Sequence, residues 1–99
     1  MWLIAFAVGC VGPDVAGFLD ERALAICARH GRCETLADAG YATEGDCVAA
    51  IVASDAARAD AGELTCPAFD ESAVAGCLSA WDAACDAPPD LTPCDAVCP

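Results

Sequence analysis

The side chains best able to do chemistry in this sequence are nine cysteines and one histidine, His30, which lies between Cys27 and Cys33. A cysteine beside a histidine can act as a nucleophile when the imidazole takes the thiol proton. Cysteines can instead bind zinc or form disulfides. Zinc sites usually contain Cys-x-x-Cys pairs, and none occurs here, because the closest spacings are Cys94 to Cys98 and Cys27 to Cys33. The spacing therefore predicts disulfides rather than a metal site.

The number of cysteines is odd, and Cys10 stands apart from the others in position and context. Without it, eight remain for four disulfides: Cys27, Cys33, Cys47, Cys66, Cys77, Cys85, Cys94 and Cys98. Dense cysteine usage in a small chain indicates an oxidising compartment. With Cys27 and Cys33 oxidised, His30 is expected to be a partly exposed helix residue and not half of a catalytic pair. We therefore expect a protein that is not an enzyme, with no cofactor and no metal.

Composition limits the partners. The chain has 99 residues, a formal net charge of −12 and only four basic residues, all arginine, against sixteen acids. Such a chain repels nucleic-acid phosphates, so no nucleic-acid partner is expected. The length allows one domain. Large apolar side chains are few after residue 10, so the core is thin and disulfides must supply much of the stability.

Two other groups of residues have side chains suited to ligand binding. Acids cluster late in the chain, without the alternating ligands and glycine turn of a calcium loop: Asp82, Asp86, Asp90 and Asp95. A solvated acidic face is the expected reading. Phe69 and Trp81 have the character of a ligand-pocket lining, but Trp81 falls on an apolar helical stripe, which favours core packing.

Residues 1–8 form an uncharged apolar run that is followed by Gly9 and Cys10. As a helix this run extends only about 10–12 Å, against roughly 30 Å of bilayer hydrocarbon, so it cannot span a membrane. Ala7-Val8-Gly9-Cys10 resembles a bacterial lipobox. The resemblance implies a lipid on the Cys10 thiol, cleavage before Cys10 and acylation of the new amino terminus.

The N-terminal run departs from the lipobox pattern in two respects. Ala7 stands where leucine is usual, and no basic residue precedes the short run. A start further upstream would supply both the basic residues and the missing length. We expect a lipoprotein leader over residues 1–9, a tether over 10–13 and a cysteine-rich helical domain over 14–99. The alternative is an ordinary buried N-terminal segment with Cys10 in a disulfide.

From Asp14 onward, apolar residues recur at three- and four-residue spacing, and no strand pattern competes. Start and stop signals then predict three helices and a turn. The first helix starts at Asp14, has a kink or a break near Gly31 and stops at Gly40. The second is capped by Thr43, the third by Asp70, and a short helical turn by Thr92. The apolar stripe of the second helix is Val48, Ile51, Val52 and Ala56. That of the third is Val74, Cys77, Leu78, Trp81, Ala84 and Cys85. The fold class is an all-α, disulfide-stapled three-helix bundle with a short C-terminal helical turn.

Eight cysteines allow about 105 pairings, and sequence alone does not choose among them. In an antiparallel helical hairpin, Cys33 before the loop and Cys47 after it can face each other, so this pair is favoured. Cys85 is expected to bind the C-terminal segment through Cys94 or Cys98. The remaining cysteines stay unassigned.

Residues 22–98 contain a short set of motifs: Cys27-x5-Cys33-Glu34-x-Leu36, Asp46-Cys47, Gly62-Glu63-Leu64, Phe69-Asp70-x3-Val74-Ala75-x-Cys77-Leu78, Cys85 and Cys94. Through these motifs the folded part resembles the small cysteine-rich secreted proteins and lipoproteins of myxobacteria and related predatory or marine bacteria. The resemblance implies a location and a fold more than an activity.

The leading expectation is a non-enzymatic cell-envelope domain with a structural or protein-interaction role. It is anchored in the membrane through a lipid at Cys10, at the outer membrane or facing the periplasm, and its partner is an envelope protein. The alternative is a soluble secreted helical carrier of a small apolar ligand. Detergent partitioning distinguishes the two.

Overall fold

The structure is a computed structural model that describes residues 12–98. It contains four α-helices: α1 (Gly12–Arg32), α2 (Glu44–Asp60), α3 (Val74–Ser79) and α4 (Thr92–Asp95). Single 3₁₀ turns, Glu71–Ala73 and Ala80–Asp82, flank α3. No strand occurs within the described residues, and four disulfides cross the bundle. The predicted fold class, an all-α bundle stapled by disulfides, is confirmed.

The expected leader over residues 1–9 and the lipidation site Cys10 lie outside the described residues. The described part of α1 starts at Gly12. None of the helices in residues 12–98 has the length and apolar character to cross a membrane. Asp14 lies in the first turn of α1 and basic side chains lie in its last turn, a distribution that suits the helix dipole.

The break predicted near Gly31 is confirmed, but the predicted helical continuation from there to Gly40 is wrong, because residues 33–40 form turns. The helix stops at Arg32, and Glu34 follows in a left-handed conformation with φ of 58°. The backbone N–H of Thr35 donates to the His30 carbonyl at 2.9 Å, and that of Glu34 donates to the Gly31 carbonyl at 3.3 Å. These two bonds are the Schellman arrangement that closes a helix. A glutamate occupies the position that glycine usually takes in this arrangement, so the sequence does not show that the helix fails to resume after the break.

The start of α2 agrees with the prediction, since Thr43 is its N-cap and the Thr43 hydroxyl accepts a bond from the Asp46 N–H at 3.0 Å. The predicted apolar stripe is only half-buried. The fully buried positions of α2 are Cys47, Asp55 and Ala59. The buried face is therefore rotated from the predicted one, because a disulfide holds Cys47 inside and an ion pair holds Asp55 inside.

The third helix is shorter than the sequence predicts. Asp70, the expected cap, is the N-cap of the 3₁₀ turn Glu71–Ala73 that leads into α3, and it accepts bonds from the Ser72 N–H and hydroxyl at 3.0 and 2.6 Å. The chain leaves the helical conformation at Ala83, where ψ is 156°. As a result, Ala84 and Cys85, predicted on the apolar stripe, are exposed.

The last helix, α4, has Leu91 as its N-cap, not Thr92, and Leu91 makes no side-chain capping bond. The capping hydrogen bonds come instead from the side chain of Asp90, one residue before Leu91. Its carboxylate accepts bonds from the Thr92 N–H at 3.0 Å and from the Thr92 hydroxyl at 2.6 Å. Proline near the start of the helix was predicted correctly.

The apolar core occupies one end of the molecule. It is built from the first half of α1, the end of α2, α3 and the segment after α4: Val15, Phe18, Leu19, Ala59, Cys77 and Val97. The rings of Phe18 and Phe69 pack with centroids 6.3 Å apart and planes tilted by 51°. The other end of α1 has little such packing and depends on disulfides and arginine bonds instead.

Two disulfides join α1 to the rest of the chain, and they correct the favoured pairing of Cys33 with Cys47. Cys47 is bonded to Cys27, with Cα atoms 5.8 Å apart, and Cys33 is bonded to Cys85, with Cα atoms 5.5 Å apart. The prediction was wrong because it placed Cys33 inside a continuing helix. With α1 ending at Arg32, Cys33 lies beyond the hairpin face and Cys27 meets α2.

The other two disulfides hold the C-terminal segment. Cys66 is bonded to Cys98 and Cys77 to Cys94. The expectation that Cys85 would pair with Cys94 or Cys98 is therefore wrong. Cys85 is drawn to the end of α1, and the C-terminal cysteines bind the connector before α3 and α3 itself.

Candidate functional site

The cysteine–histidine pair considered in the sequence has no free thiol at either Cys27 or Cys33, since both sulfurs are in disulfides. His30 instead closes the end of α1. Its Nδ1 atom lies 2.7 Å from the Thr35 hydroxyl oxygen. The geometry gives this histidine a structural contact at the Schellman turn.

The late acids do not converge on a common point. All four carboxylates are exposed: Asp82, Asp86, Asp90 and Asp95. Asp90 is used locally, because the Thr92 hydroxyl and N–H both donate to its carboxylate and hold the pKa of Asp90 below its ordinary value. In the part of the chain that the structure describes, no three metal-ligating side chains come together.

A cleft of about 450 Å³ lies beside the first half of α1 and is called here the acidic cleft. Its lining residues are Asp14, Gly17, Phe18, Glu21, Phe69, Glu71 and Val74. The α1 members follow a three- and four-residue spacing, which places them on one face of the helix. The opposite wall is formed by the residues that lead into α3.

The acidic cleft combines an apolar floor with a charged rim. Phe18 is buried and Phe69 half-buried, and their packed rings form the floor. Asp14, Glu21 and Glu71 are exposed and supply three carboxyl groups to the rim. Among the described residues that line it, none is basic.

Glycine at position 17 keeps the α1 wall of the acidic cleft open. A Cβ atom built there would meet nothing within 4 Å. No neighbouring backbone therefore requires glycine at this position. The missing side chain leaves space between Asp14 and Glu21, so a larger residue at this position would project into the cleft.

All four arginines make contacts within the chain, and two of them contact Asp55 of α2. The Nη2 atom of Arg22 lies 3.0 Å from both carboxylate oxygens of Asp55, which is 5% exposed. The Nη1 atom of Arg58 lies 3.8 Å from the same carboxylate. Asp55 thus uses two of the four positive charges of the chain.

The other two arginines lie at the end of α1 and bind backbone carbonyls after α3. Arg29 donates to the carbonyls of Ala84 and Ala87, each at 2.8 Å. Arg32 donates to the carbonyls of Trp81 and Ala83 at 3.3 and 3.0 Å. These bonds hold the segment that carries Cys85 against α1 and explain why α3 ends early.

Phe69 and Trp81, considered together as a pocket lining in the sequence, lie apart. Phe69 lines the acidic cleft. Trp81 is half-buried near the arginines at the far end of α1, where its indole N–H is buried without a hydrogen-bond partner among the described residues. Trp81 therefore lies outside both the acidic cleft and the apolar core around Phe18, although its place on an apolar stripe predicted core packing.

A second, smaller cavity of about 120 Å³ lies on the other side of Phe18. Apolar side chains and two disulfides dominate its lining, which includes Val15, Leu19, Leu64 and Val97. Ligand pockets in proteins usually have volumes of about 300–1,000 Å³. Of these two cavities among the described residues, the acidic cleft reaches that size.

The sequence analysis did not identify the acidic cleft. One wall of the cleft is visible in the sequence as a pattern of three residues that share one face of α1: Asp14, Phe18 and Glu21. The contributions of Phe69 and Glu71 depend on how the connector before α3 folds back on α1, and no local pattern indicates that.

Comparison with protein-family models, curated proteins and solved structures found no significant match to this chain. The fold and the cleft therefore define its class by themselves: a small all-α domain held by four disulfides, with an acid-rimmed aromatic cleft. Such a number of disulfides indicates an oxidising environment outside the cytoplasm.

Proposed function

We propose that this protein is a non-enzymatic cell-envelope domain that is anchored in the membrane by a lipid on Cys10 and binds another envelope protein. The observation that carries the proposal is the pairing of the cysteines. All eight cysteines in residues 12–98 are bonded to one another in four disulfides. The ninth, Cys10, is therefore not needed as a disulfide partner, and it is the cysteine of the lipobox-like sequence Ala7-Val8-Gly9-Cys10.

The chemistry of the described side chains supports a binding role over catalysis. All eight cysteines in residues 12–98 are oxidised, and the His30 ring contacts the Thr35 hydroxyl at the end of α1. The cleft offers carboxyl groups and aromatic surface, which suit recognition of another molecule. The resemblance to secreted cysteine-rich proteins and lipoproteins of myxobacteria-like bacteria points to the same location.

The alternative role, a secreted carrier of a small apolar ligand, receives less support from the cavities. The apolar cavity, at about 120 Å³, is small for such a ligand. The larger cleft has three carboxyl groups at its rim, and burying carboxylates against an apolar ligand is costly.

The anchor is tested by the intact, non-reduced mass of the protein purified from its own organism. The expected product begins at Cys10, is heavier by a diacylglyceryl group and an acyl chain, and is lighter by the eight hydrogens lost in four disulfides. In detergent phase separation it should enter the detergent phase, whereas a Cys10→Ser variant should stay in the aqueous phase. A lipid-free wild-type protein that remains aqueous would contradict the anchor and favour the carrier role.

A further inference from the structure

We propose that the acidic cleft is the docking site for a basic peptide segment of the protein partner, in which arginine or lysine residues alternate with apolar ones. This inference deepens the interaction role proposed above and rests on it. It names the chemistry of the partner and the residues that recognise it.

The first argument is charge. Three carboxyl side chains surround the acidic cleft, and they come from two separate parts of the chain, α1 and the 3₁₀ turn before α3. The four arginines, the only basic residues in the sequence other than His30, are bound to Asp55 or to carbonyls elsewhere. The rim charges therefore have no basic partner within the chain, and a basic partner from outside would complement them.

The second argument is spacing. Asp14 and Glu21 are seven residues apart on α1, which separates them by about 10 Å along the helix axis. Two separate cationic side chains match this backbone separation better than one small ammonium ion does. An extended peptide places alternate side chains on the same face about 7 Å apart, so two long basic side chains of one segment can reach both groups.

The third argument is the apolar floor. Phe69 and Val74 are half-buried at the cleft, and an apolar partner side chain between the two basic ones would cover them. Aromatic rings also attract the methylene stems and the charged head of arginine. A purely cationic partner would leave this surface exposed to water.

The two other occupants within reach of the cleft fit it less well. A second copy of this chain also carries a net charge of −12, so two acidic surfaces would have to come together. Residues 1–8 of the same chain are apolar and uncharged, so they would cover the phenylalanine floor but leave the carboxyl groups unpaired.

The test is an NMR titration of the full chain carrying Cys10→Ser, folded with its disulfides and labelled with nitrogen-15. The probe is an acetylated and amidated peptide of three arginines alternating with two leucines. We expect amide shifts concentrated at residues 14–21 and 69–74. Affinity should fall several-fold when salt is raised from about 0.01 M to about 0.15 M, because the Debye length shrinks from roughly 30 Å to roughly 8 Å.

Two variants test the cleft itself. Combined Glu21→Gln and Glu71→Gln should weaken peptide binding about three- to tenfold, as loss of two exposed charge pairs would. Gly17→Leu should block binding by filling the cleft, and it should fold, since a Cβ atom at this exposed position meets no neighbour within 4 Å and leucine favours helix. The matched control is Glu63→Gln, an exposed carboxylate that does not line the cleft.

Four results would overturn the proposal. The first is equal weakening by Glu63→Gln, which would show attraction to net charge alone. The second is the same shifts from tetramethylammonium chloride at equal concentration, which would identify a small cation as the ligand. The third is binding that appears only after residues 1–8 are made polar, which would make this segment the occupant. The fourth is self-association that Gly17→Leu abolishes, which would make it a second copy.

The titration uses an unlipidated chain, so its outcome is independent of the anchor. If the natural protein carries no lipid but the cleft binds the peptide, the docking site is supported and the membrane anchor is refuted. If the natural protein is lipidated but the cleft does not bind the peptide, the anchor is supported and the docking site is refuted.

Discussion

Removal of the Cys33–Cys85 disulfide by paired serine substitutions should lower the free energy of unfolding by about 4 kcal/mol. The two cysteines are 52 residues apart, the longest separation among the four disulfides. In the chain-entropy model a loop of this length restrains the unfolded chain by about 4 kcal/mol. Cys85 is exposed and Cys33 only half-buried, so little packing energy is lost in the folded state.

The variant should remain folded. The bonds from Arg29 and Arg32 to the carbonyls of residues 81–87 still hold the segment against α1. The apolar core also lies at the other end of α1 and does not include either cysteine. The loss of stability therefore comes from the unfolded chain, which gains conformational freedom when the disulfide is removed.

The measurement is equilibrium urea unfolding followed by far-UV circular dichroism without reductant. The midpoint should fall and the slope m should rise, because the unfolded state of the variant exposes more surface. Ala84→Ser is the matched control, since it places a serine beside the removed cysteine at an exposed position and should change stability by less than about 0.5 kcal/mol. A loss below about 1 kcal/mol with an unchanged m would refute the loop-closure reasoning.

Three further predictions follow from individual residues. Glu34→Gly should stabilise the protein by about 0.5–1 kcal/mol in the same urea assay, because glycine accepts the positive φ at the end of α1; a loss of stability would contradict the Schellman assignment. Asp55→Asn should cost about 1–3 kcal/mol, because it leaves the partly buried Arg22 without its counter-charge, and an unchanged midpoint would show that the pair contributes nothing. The pKa of Asp90, measured by NMR titration, should lie below its ordinary value because the Thr92 hydroxyl and N–H donate to the carboxylate. The stability that the ionised carboxylate contributes is therefore present above the ordinary pKa and is lost as the pH falls through the pKa of the folded state. Thr92→Val should raise the pKa of Asp90 toward the ordinary value, and an unchanged pKa would show that the hydroxyl bond is absent.

The sequence predicted those parts of the fold that depend on local signals. Thr43 and Asp70 were recognised as caps because a side-chain oxygen at that position satisfies the free N–H groups of a helix start. The odd cysteine count also separated Cys10 from the eight that pair. Each of these inferences needs only neighbouring residues or a count.

The errors came from contacts between distant segments. The stop of α1 depends on Glu34 adopting a left-handed conformation that glycine normally signals. The end of α3 depends on Arg29 and Arg32 binding its following carbonyls from more than 45 residues away. Once these two ends were misplaced, the pairing of Cys33 was misplaced with them.

The acidic cleft was missed for a related reason. One wall, on α1, is a local pattern, but an acidic residue near a phenylalanine on a helix is common and indicates nothing specific. The other wall, with Phe69 and Glu71, exists only because the connector before α3 returns to α1. A site between two segments becomes visible only when their relative placement is known.

The internal engagement of the arginines also bears on proteolysis. Enzymes of the trypsin class cut after lysine or arginine, and this chain offers only Arg22, Arg29, Arg32 and Arg58. All four lie in helices, and three of them hold Asp55 or backbone carbonyls at hydrogen-bond distance. Arg58 has a longer contact, and its side chain is 48% exposed. The folded domain should therefore resist such enzymes until α1 or α2 opens, so the rate of cleavage would report how often these helices open.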